Sequence, residues 1–416
     1  MTKAKKNNFN ITIIGAGRVG LPLALTLENK GFSIAIKDKD PKIGEAFSKK
    51  KMPFEEPGFE KLISKSKIEC YLDKLPNSEV YIITVGTPLN QHIETNLNQI
   101  KSVVDELIAQ VNLKGKTIIL RSTVAPNVSR YLVDYIESKT GLSLGKDFFL
   151  AMCPERIVEG MAFKELTQLP QIIGVEDDGS FRRATNVFKK MLPENKIFRG
   201  TFLEAELAKL FTNIYRYINF AIPNYFVIMA QSFGVDAFHL FDIMNTSYDR
   251  NKGLKNPGLT AGTCLRKDFG MINECISQTD IILQAYKINE FMPKFLIDLV
   301  GDKIKGSRVG VLGYTFKADV DDTRDTLTAK LIRYAERKVP KEIKISDYNL
   351  PKGKYSDKCN SMEFNNISTD DLIKSSDIIF IATNHSKYYK IPQKLLKGKI
   401  VVDIWRVLSK GIIVNF

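Results

Sequence analysis

Cysteine is scarce and scattered in this chain. The five, Cys70, Cys153, Cys264, Cys275 and Cys359, form no CxxC pair, which argues against a zinc site or a disulfide framework and leaves reduced thiols of a cytoplasmic protein as the expectation. No metal is expected. No apolar run reaches the roughly 18 residues that a membrane span requires. The basic opening, Met1 to Asn8, precedes an apolar run that breaks at Gly15, which reads as a frayed end before a strand and not as a secretory signal. There is no internal repeat and no low-complexity tract. No helix-turn-helix, zinc-finger or RNP pattern stands out either, so neither nucleic acid nor a membrane is expected as a partner.

What is present is a chain of 416 residues, long enough for about three domains. The 61 Lys+Arg against 47 Asp+Glu give a formal charge of +14. The lysines are dispersed along the chain, so the excess reads as surface composition with local pockets for phosphates. Over residues 10–195, apolar strand-like runs alternate with amphipathic stretches. The strands are expected at Ile11–Ile14, Ser33–Lys37, Val80–Val85, Thr117–Leu120, Phe148–Ala151 and Gln171–Val175, and helices at Val19–Lys30, Leu97–Gln110 and Ser129–Ser138. That alternation predicts an α/β, Rossmann-like doubly wound sheet. From Thr201 the period becomes helical, with Pro223 expected to kink or interrupt the first helix and further helices at Ala237–Met244 and Lys267–Phe291. From Lys303 a second Rossmann-like α/β pattern begins. The expected organisation is a dinucleotide-binding domain over 1–200, a helical domain over 201–302 and a second α/β domain over 303–416.

Four segments carry chemistry. Gly15-Ala16-Gly17-Arg18-Val19-Gly20 follows the first strand and opens a helix. Gly15 permits the tight turn, Gly17 the approach of a pyrophosphate and Gly20 close helix–strand packing. Asp38 ends the second strand, where a carboxylate accepts from ribose hydroxyls. It favours NAD, while the flanking Lys37 and Lys39 leave NADP open. Second, Lys209 and Asn213 are spaced to share a helix face among apolar neighbours. They read either as solvated surface or as buried groups that need a partner, which a substrate can supply. Third, Cys264 follows the small-residue run Gly258 to Thr263 and precedes Arg266, Lys267 and Asp268. A cysteine at a helix start beside cations is a plausible nucleophile, and a buried structural thiol is the bland alternative. The other four cysteines take the bland reading. Fourth, Phe316 to Arg324 joins Lys317, several carboxylates and an arginine just after a strand, a place where open α/β sheets bind ligands and where a solvated charged loop is the alternative.

In this order the segments resemble the nucleotide-sugar dehydrogenases, the family of UDP-glucose, UDP-N-acetylmannosamine and GDP-mannose dehydrogenases. Glu56-Pro57-Gly58, Val85-Gly86-Thr87-Pro88, Ser122-Thr123-Val124, Pro154-Glu155 with Glu159-Gly160, and Asn289 before Met292-Pro293 extend the match over nearly the whole chain. The resemblance implies two successive NAD-dependent oxidations of a sugar C6 alcohol to a uronate. Cys264 would be the nucleophile, Lys209 and Asn213 would stabilise and position the C6 oxygen, and Asp268, Thr123 and Glu155 would serve the water and proton steps. It implies cofactor contacts from Gly15, Gly17, Val19, Gly20, Asp38, Thr87, Thr123, Glu155, Lys267 and Arg324. It implies substrate contacts from Glu155, Arg156, Lys209, Asn213, Gly262 and Lys317, and from Arg250 reaching across a homodimer or higher homo-oligomer. The run Cys153 to Gly160 resembles the UDP-N-acetylhexosamine branch, mannosamine or glucosamine, more than the UDP-glucose branch, and implies a role in polysaccharide biosynthesis. Ala261 and Arg266 depart from the family pattern around the cysteine and are expected to reshape the sugar pocket. UDP-glucose remains the alternative substrate. A single-step hydroxyacid dehydrogenase and a non-catalytic nucleotide-binding protein are the alternatives of other kinds.

Overall fold

The computed structural model describes residues 9–90, 95–260, 262–408 and 411–415, with the backbone alone described at 263, 264, 414 and 415. Two compact units emerge, Met1–Thr212 with Lys267–Ser277, and Asn213–Arg266 with Gln278–Phe416.

The first unit is built on an eight-stranded sheet. Its strands are β1 (Phe9–Ile14), β2 (Ile34–Lys37), β3 (Glu69–Tyr71), β4 (Ser78–Ile83), β5 (Thr117–Leu120), β6 (Phe149–Met152), β7 (Gln171–Gly174) and β8 (Ile197–Gly200). The order is β3-β2-β1-β4-β5-β6-β7-β8, parallel throughout except between β6 and β7. β2, β5 and β6 are buried at every position, as expected when helices cover both faces of a parallel sheet. Strand order reverses direction between β1 and β4, and the crevice beyond their C-terminal ends is where such sheets bind ligands.

The second unit repeats the plan. Its strands are β9 (Arg308–Leu312), β10 (Glu342–Ser346), β11 (Gly353–Asp357), β12 (Met362–Asn366), β13 (Ile378–Ile381), β14 (Ile400–Val402) and β15 (Ile413–Asn415). The order is β11-β12-β10-β9-β13-β14-β15, with antiparallel pairs β11–β12 and β14–β15 at its edges. The reversal falls between β9 and β13.

The doubly wound expectation therefore holds for both sheets, and most strand positions agree within a few residues. The short strands β3, β8 and β15 and the β11–β12 hairpin were not foreseen. The long helix Phe202–Ser232 is not interrupted at Pro223 but runs through it. A mid-helix proline costs about 3 kcal/mol, and the helix is packed into the unit around it, with Ala221, Asn224 and Val227 buried. The helical pattern expected over Lys267–Phe291 is carried by two helices, Thr263–Asn273 and Asp280–Val300. Among the described residues no helix is long and apolar enough to cross a membrane.

One surface fork ties the entry of β9 to the turn before β13. Arg308 donates from its backbone N, Nε and Nη2 to Asp377, at 2.9, 3.0 and 2.5 Å. The hydrogen bonds from this guanidinium and backbone N–H hold the Asp377 carboxyl at about 2, below its ordinary 3.8. A depressed carboxylate stabilises the fold above its unfolded pKa and loses that contribution as pH falls through the folded one. Asp377→Asn should therefore lower stability at pH 7, read as a lower melting midpoint, by at most about 1 kcal/mol because the pair is half exposed. The deficit should close as the pH is taken from 3.8 towards 2; a deficit unchanged over that range would contradict the assignment.

Candidate active site

The glycine-rich turn occupies the crevice of the first sheet. Gly15 has φ +93°, and a Cβ there would lie 3.1 Å from Val85 N. A Cβ on Gly20 would overlap the Gly15 carbonyl oxygen at 1.9 Å. A Cβ on Gly17, by contrast, would meet nothing within 4 Å, so this glycine faces open space. The helix Gly20–Asn29 has no acidic residue in its first turn, and Val19 at its N-cap supplies no side-chain cap. An anion can therefore approach the helix N-terminus without like-charge repulsion. The geometry fits a dinucleotide pyrophosphate.

Asp38 is half-buried and clasps the turn. Its Oδ2 accepts from Ala16 N at 2.5 Å and its Oδ1 from Asp40 N at 2.8 Å. Each carboxylate oxygen keeps a further lone pair for a ribose hydroxyl. Lys37 is buried and bonds Glu106 at 2.7 Å, so its charge is already spent and does not serve a 2′-phosphate.

The loops after β4 and β5 are laced together. Thr87 Oγ1 donates to the Thr123 carbonyl at 2.5 Å, Lys267 Nζ donates to Thr87 Oγ1 at 2.9 Å, and Ser122 Oγ donates to the Val85 carbonyl at 2.7 Å. Three residues expected at the cofactor thus meet in one chain of hydrogen bonds. Asp268, next along the helix Thr263–Asn273, is buried, with Lys267 Nζ 4.0 Å from its Oδ1.

Glu155 is buried with its carboxylate committed on both oxygens. Arg121 donates to Oε2 at 2.8 Å, and the backbone N–H groups of Arg156 and Ile157 donate to Oε1 at 2.7 and 2.9 Å. Arg121 is itself buried, donates to Gln171 at 2.8 Å and lies over the Phe188 ring. Arg156 is half-buried and donates to the Pro170 carbonyl. The sequence reading passed over Arg121; its signal was a cation straight after a fully buried strand and directly before Ser122-Thr123. It also passed over Glu206, one turn before Lys209. From the long helix, Glu206 accepts from Asn127 N and Ser129 N at 2.7 Å each, capping the helix Val128–Thr140, and burial pushes its carboxyl up. Lys209 is buried on the same helix.

In the second unit the loop leading to Cys264 is bracketed. Asn224 is fully buried; its Nδ2 donates to the Gly258 carbonyl at 3.0 Å, and its Oδ1 accepts from Gly258 N at 2.8 Å. The same amide donates to Asn289 at 2.9 Å. Gly258 has no room for a side chain, since a Cβ would sit 2.2 Å from the Trp405 ring. Gly262 has φ +109°, and a Cβ there would lie 2.8 Å from the Phe316 ring. The glycine run is thereby seated on the segment carrying Lys317. Cys264 stands in the first turn of the helix Thr263–Asn273; its side chain, like Ala261, lies outside the described residues. Asn213 is buried and accepts from Arg216 at 3.5 Å.

Arg324 is gripped by buried Asp322, whose two carboxylate oxygens each accept from its Nε at 3.0 Å. Below this loop lies a pair that sequence reading missed. His385 and Asp347 are fully buried, 3.1 Å apart. Asp347 also accepts from Tyr314 N and Thr315 N at 2.6 and 3.0 Å, and His385 Nδ1 accepts from Asp319 N at 3.0 Å. Burial by itself would raise the Asp347 carboxyl, but the hydrogen bond from His385 and these backbone donors hold it below the ordinary value. Arg250 is exposed on a short 3-10 turn. Arg266 pairs with Glu290 and Asp325.

The Asn224 bracket leaves several buried polar groups exposed to loss. Replacing Asn224 by Leu should cost about 1–3 kcal/mol of stability, the penalty of leaving buried groups unpaired. It should also lower kcat while leaving dinucleotide affinity in place, checked by thermal melting, steady-state rates and NAD titration. Unchanged melting and turnover would show that the bracket does not hold the cysteine loop.

Comparison with known proteins follows this layout. The UDP-glucose/GDP-mannose dehydrogenase family matches in three parts: its NAD binding domain at residues 9–192, its central domain at 203–290 and its UDP binding domain at 310–410. A protein of Methanococcus vannielii named UDP-N-acetyl-D-mannosamine dehydrogenase is 27% identical, over 99% of this chain and 96% of its own. A UDP-glucose 6-dehydrogenase of Rickettsia bellii is 26% identical over 96% of each. The solved structure of a UDP-D-ManNAc dehydrogenase from Pyrococcus horikoshii superposes with a TM-score of 0.85 at 25% identity, covering 96% of both chains. With the three parts of one family in order over both sheets and the helices between them, this chain belongs to the UDP-glucose/GDP-mannose dehydrogenase family and is an NAD-dependent nucleotide-sugar dehydrogenase.

Proposed function

We propose that the chain oxidises the C6 alcohol of UDP-N-acetyl-D-mannosamine to the carboxylate in two steps, with UDP-N-acetyl-D-glucosamine as the nearest other substrate. The observation that carries this choice of sugar is the near-full-length match to a relative named for it. The run Cys153 to Gly160, with Arg156 after the anchored Glu155, agrees with it. The UDP-glucose reading rests on a relative of nearly equal identity and is weaker because that run resembles the other branch. The working division is cofactor over 1–200, a helical dimerisation region over 201–302 and UDP over 303–416.

NAD, seated on the glycine turn with Asp38 at its ribose, supplies the hydride acceptor for both oxidations. The chain's own residues do the rest. Lys209 stabilises negative charge developing on the C6 oxygen, and Asn213 holds the same oxygen. After the first oxidation the Cys264 sulfur attacks the C6 aldehyde carbon. A C–S bond forms and the carbonyl oxygen takes up a proton, giving a thiohemiacetal. Loss of the remaining C6 hydride and of the hydroxyl proton leaves a thioester. Water, placed by Asp268, Thr123 and Glu155, adds to the thioester carbon; the C–S bond breaks, the carboxylate forms and the thiolate is restored. Lys267 and Arg324 contact the cofactor, Lys317 and Gly262 the substrate, and Arg250 reaches the substrate of a partner subunit.

The other thiols support Cys264 as the nucleophile. Burial pushes Cys70 and Cys153 up to about 12, and raises Cys275 and Cys359 although both are exposed rather than buried. Cys264 heads a helix with no acidic residue in its first turn, a setting that lowers a thiol pKa. Free thiols at the four described cysteines also suit the cytoplasm. A homodimer is supported by an apolar groove of about 330 Å³ between the long helix and the helix Asp280–Val300, lined by Ile218, Ile222, Tyr225, Ile281 and Ile288. Ile281 is 71% exposed there, beside the exposed Ile222 and Tyr225, and a cluster of exposed apolar side chains suits an interaction surface.

The test is NADH yield from limiting UDP-N-acetylmannosamine, UDP-N-acetylglucosamine or UDP-glucose with excess NAD. Two NADH per mannosamine derivative are expected. One NADH per sugar would overturn the thioester route, and preference for UDP-glucose would overturn the choice of branch. Cys264→Ser should retain some first-step hydride transfer yet release no uronate; normal uronate release from that variant would exclude covalent catalysis by this residue.

A further inference from the structure

A basic cavity lies within the second unit, lined by none of the residues given a role in the oxidation above. It has a volume of about 280 Å³ and is lined by Arg266, Glu290, Asp325, Lys330, Arg333 and Arg337. Its charges do not cancel. Lys330 donates to Glu290 Oε2 at 2.8 Å and to the Glu290 carbonyl at 2.7 Å. Arg266 reaches Glu290 Oε1 at 3.5 Å and Asp325 Oδ1 at 3.0 Å. The two carboxylates are thus satisfied by two of the four cations, and the guanidiniums of Arg333 and Arg337 are left over.

These two are held without a counter-charge. Among the described residues Arg333 donates to the Asn360 carbonyl, at 3.3 Å, and Arg337 lies over the Tyr334 ring at 5.1 Å. Among the described residues no carboxylate stands within ion-pair distance of either. Lys330, Arg333 and Arg337 recur at three and four residues along the helix Leu327–Glu336 and its C-cap, a spacing that brings side chains together on one face, where like charges repel. Cations so arranged around a cavity suit an anion of two charges, and paired guanidiniums match phosphate oxygens by parallel hydrogen bonds.

We propose that this cavity is a binding site for a phosphate group, inorganic phosphate or a small phosphomonoester, separate from the glycine turn. Its volume stands at the bottom edge of the range for small-molecule pockets, roughly 300–1,000 Å³, which suits a small anion. The proposal also accounts for Arg266, whose departure from the family pattern adds a cation to this cavity. It does not depend on which sugar the enzyme oxidises.

The test is isothermal titration of the full chain, saturated with NAD so that the glycine turn is covered, with inorganic phosphate and with glycerol 3-phosphate at constant ionic strength. The intact protein should bind at least one of them, and Arg333→Gln/Arg337→Gln should weaken that binding by about tenfold or more. Its melting midpoint in chloride and its NADH formation without phosphate should stay unchanged. Arg337→Gln alone serves if the double variant does not fold. Tighter binding of the free ion or of the ester would name the source. No binding below roughly 10 mM, or equal binding by intact and variant protein, would overturn the site.

Discussion

Both sheets depend on one local constraint, the close approach of backbones where the strand order reverses. β1 ends on Gly15 and β9 on Gly313, each with positive φ. Gly15 N donates to the Lys37 carbonyl at the end of β2, and Gly313 N donates to the Ser346 carbonyl at the end of β10. A side chain at either place would press on the neighbouring strand's exit, Val85 in one case and Thr383 in the other. The aspartate just after the second strand then grips the turn, Asp38 through Ala16 N and Asp347 through Tyr314 N and Thr315 N. The two crevices are thus opened by the same device, once for a dinucleotide and once under the Lys317 loop.

What lies around those crevices is governed by the cost of burying polar groups. Buried polar groups are tolerated where their hydrogen bonds are complete. Asn224 serves Gly258 on both its N–H and its carbonyl, Arg121 and two backbone amides fill Glu155, and Glu206 fills two amides at a helix start. These residues need touch no substrate to matter. They fix the segments that bear Cys264, Thr123 and Lys209, and a group fixed by several hydrogen bonds holds its neighbours to small tolerances.

Much of this could be read from the chain itself. Short apolar runs and period-3.6 patterns located the buried strands and long helices, because burial on both faces of a strand leaves a continuous apolar signal. The glycine turn and Asp38 were legible because their roles demand particular residue types at particular spacing. The short edge strands were not, since few residues and little burial leave no period to detect. Of the two outcomes expected at Pro223, interruption did not occur, because tertiary packing overrides local propensity. Arg121, Glu206 and the His385–Asp347 pair stayed hidden for another reason: their importance lies in partners distant in sequence, Arg121 with Glu155 and Glu206 with Ser129, which no local pattern records. Lys37 looked like a cofactor determinant until its side chain was seen paired with Glu106.

The way the sheets end has a consequence for self-association. The terminal strands β3 and β15 have three residues each, β8 has four and carries Arg199, and β11 carries Lys354. A short or charged edge offers little backbone for another chain to hydrogen-bond. Copies of this protein are thereby steered away from extending one another's sheets, the route by which parallel-sheet proteins aggregate. Ordered assembly is left to helix faces, where side-chain shape decides which surfaces match.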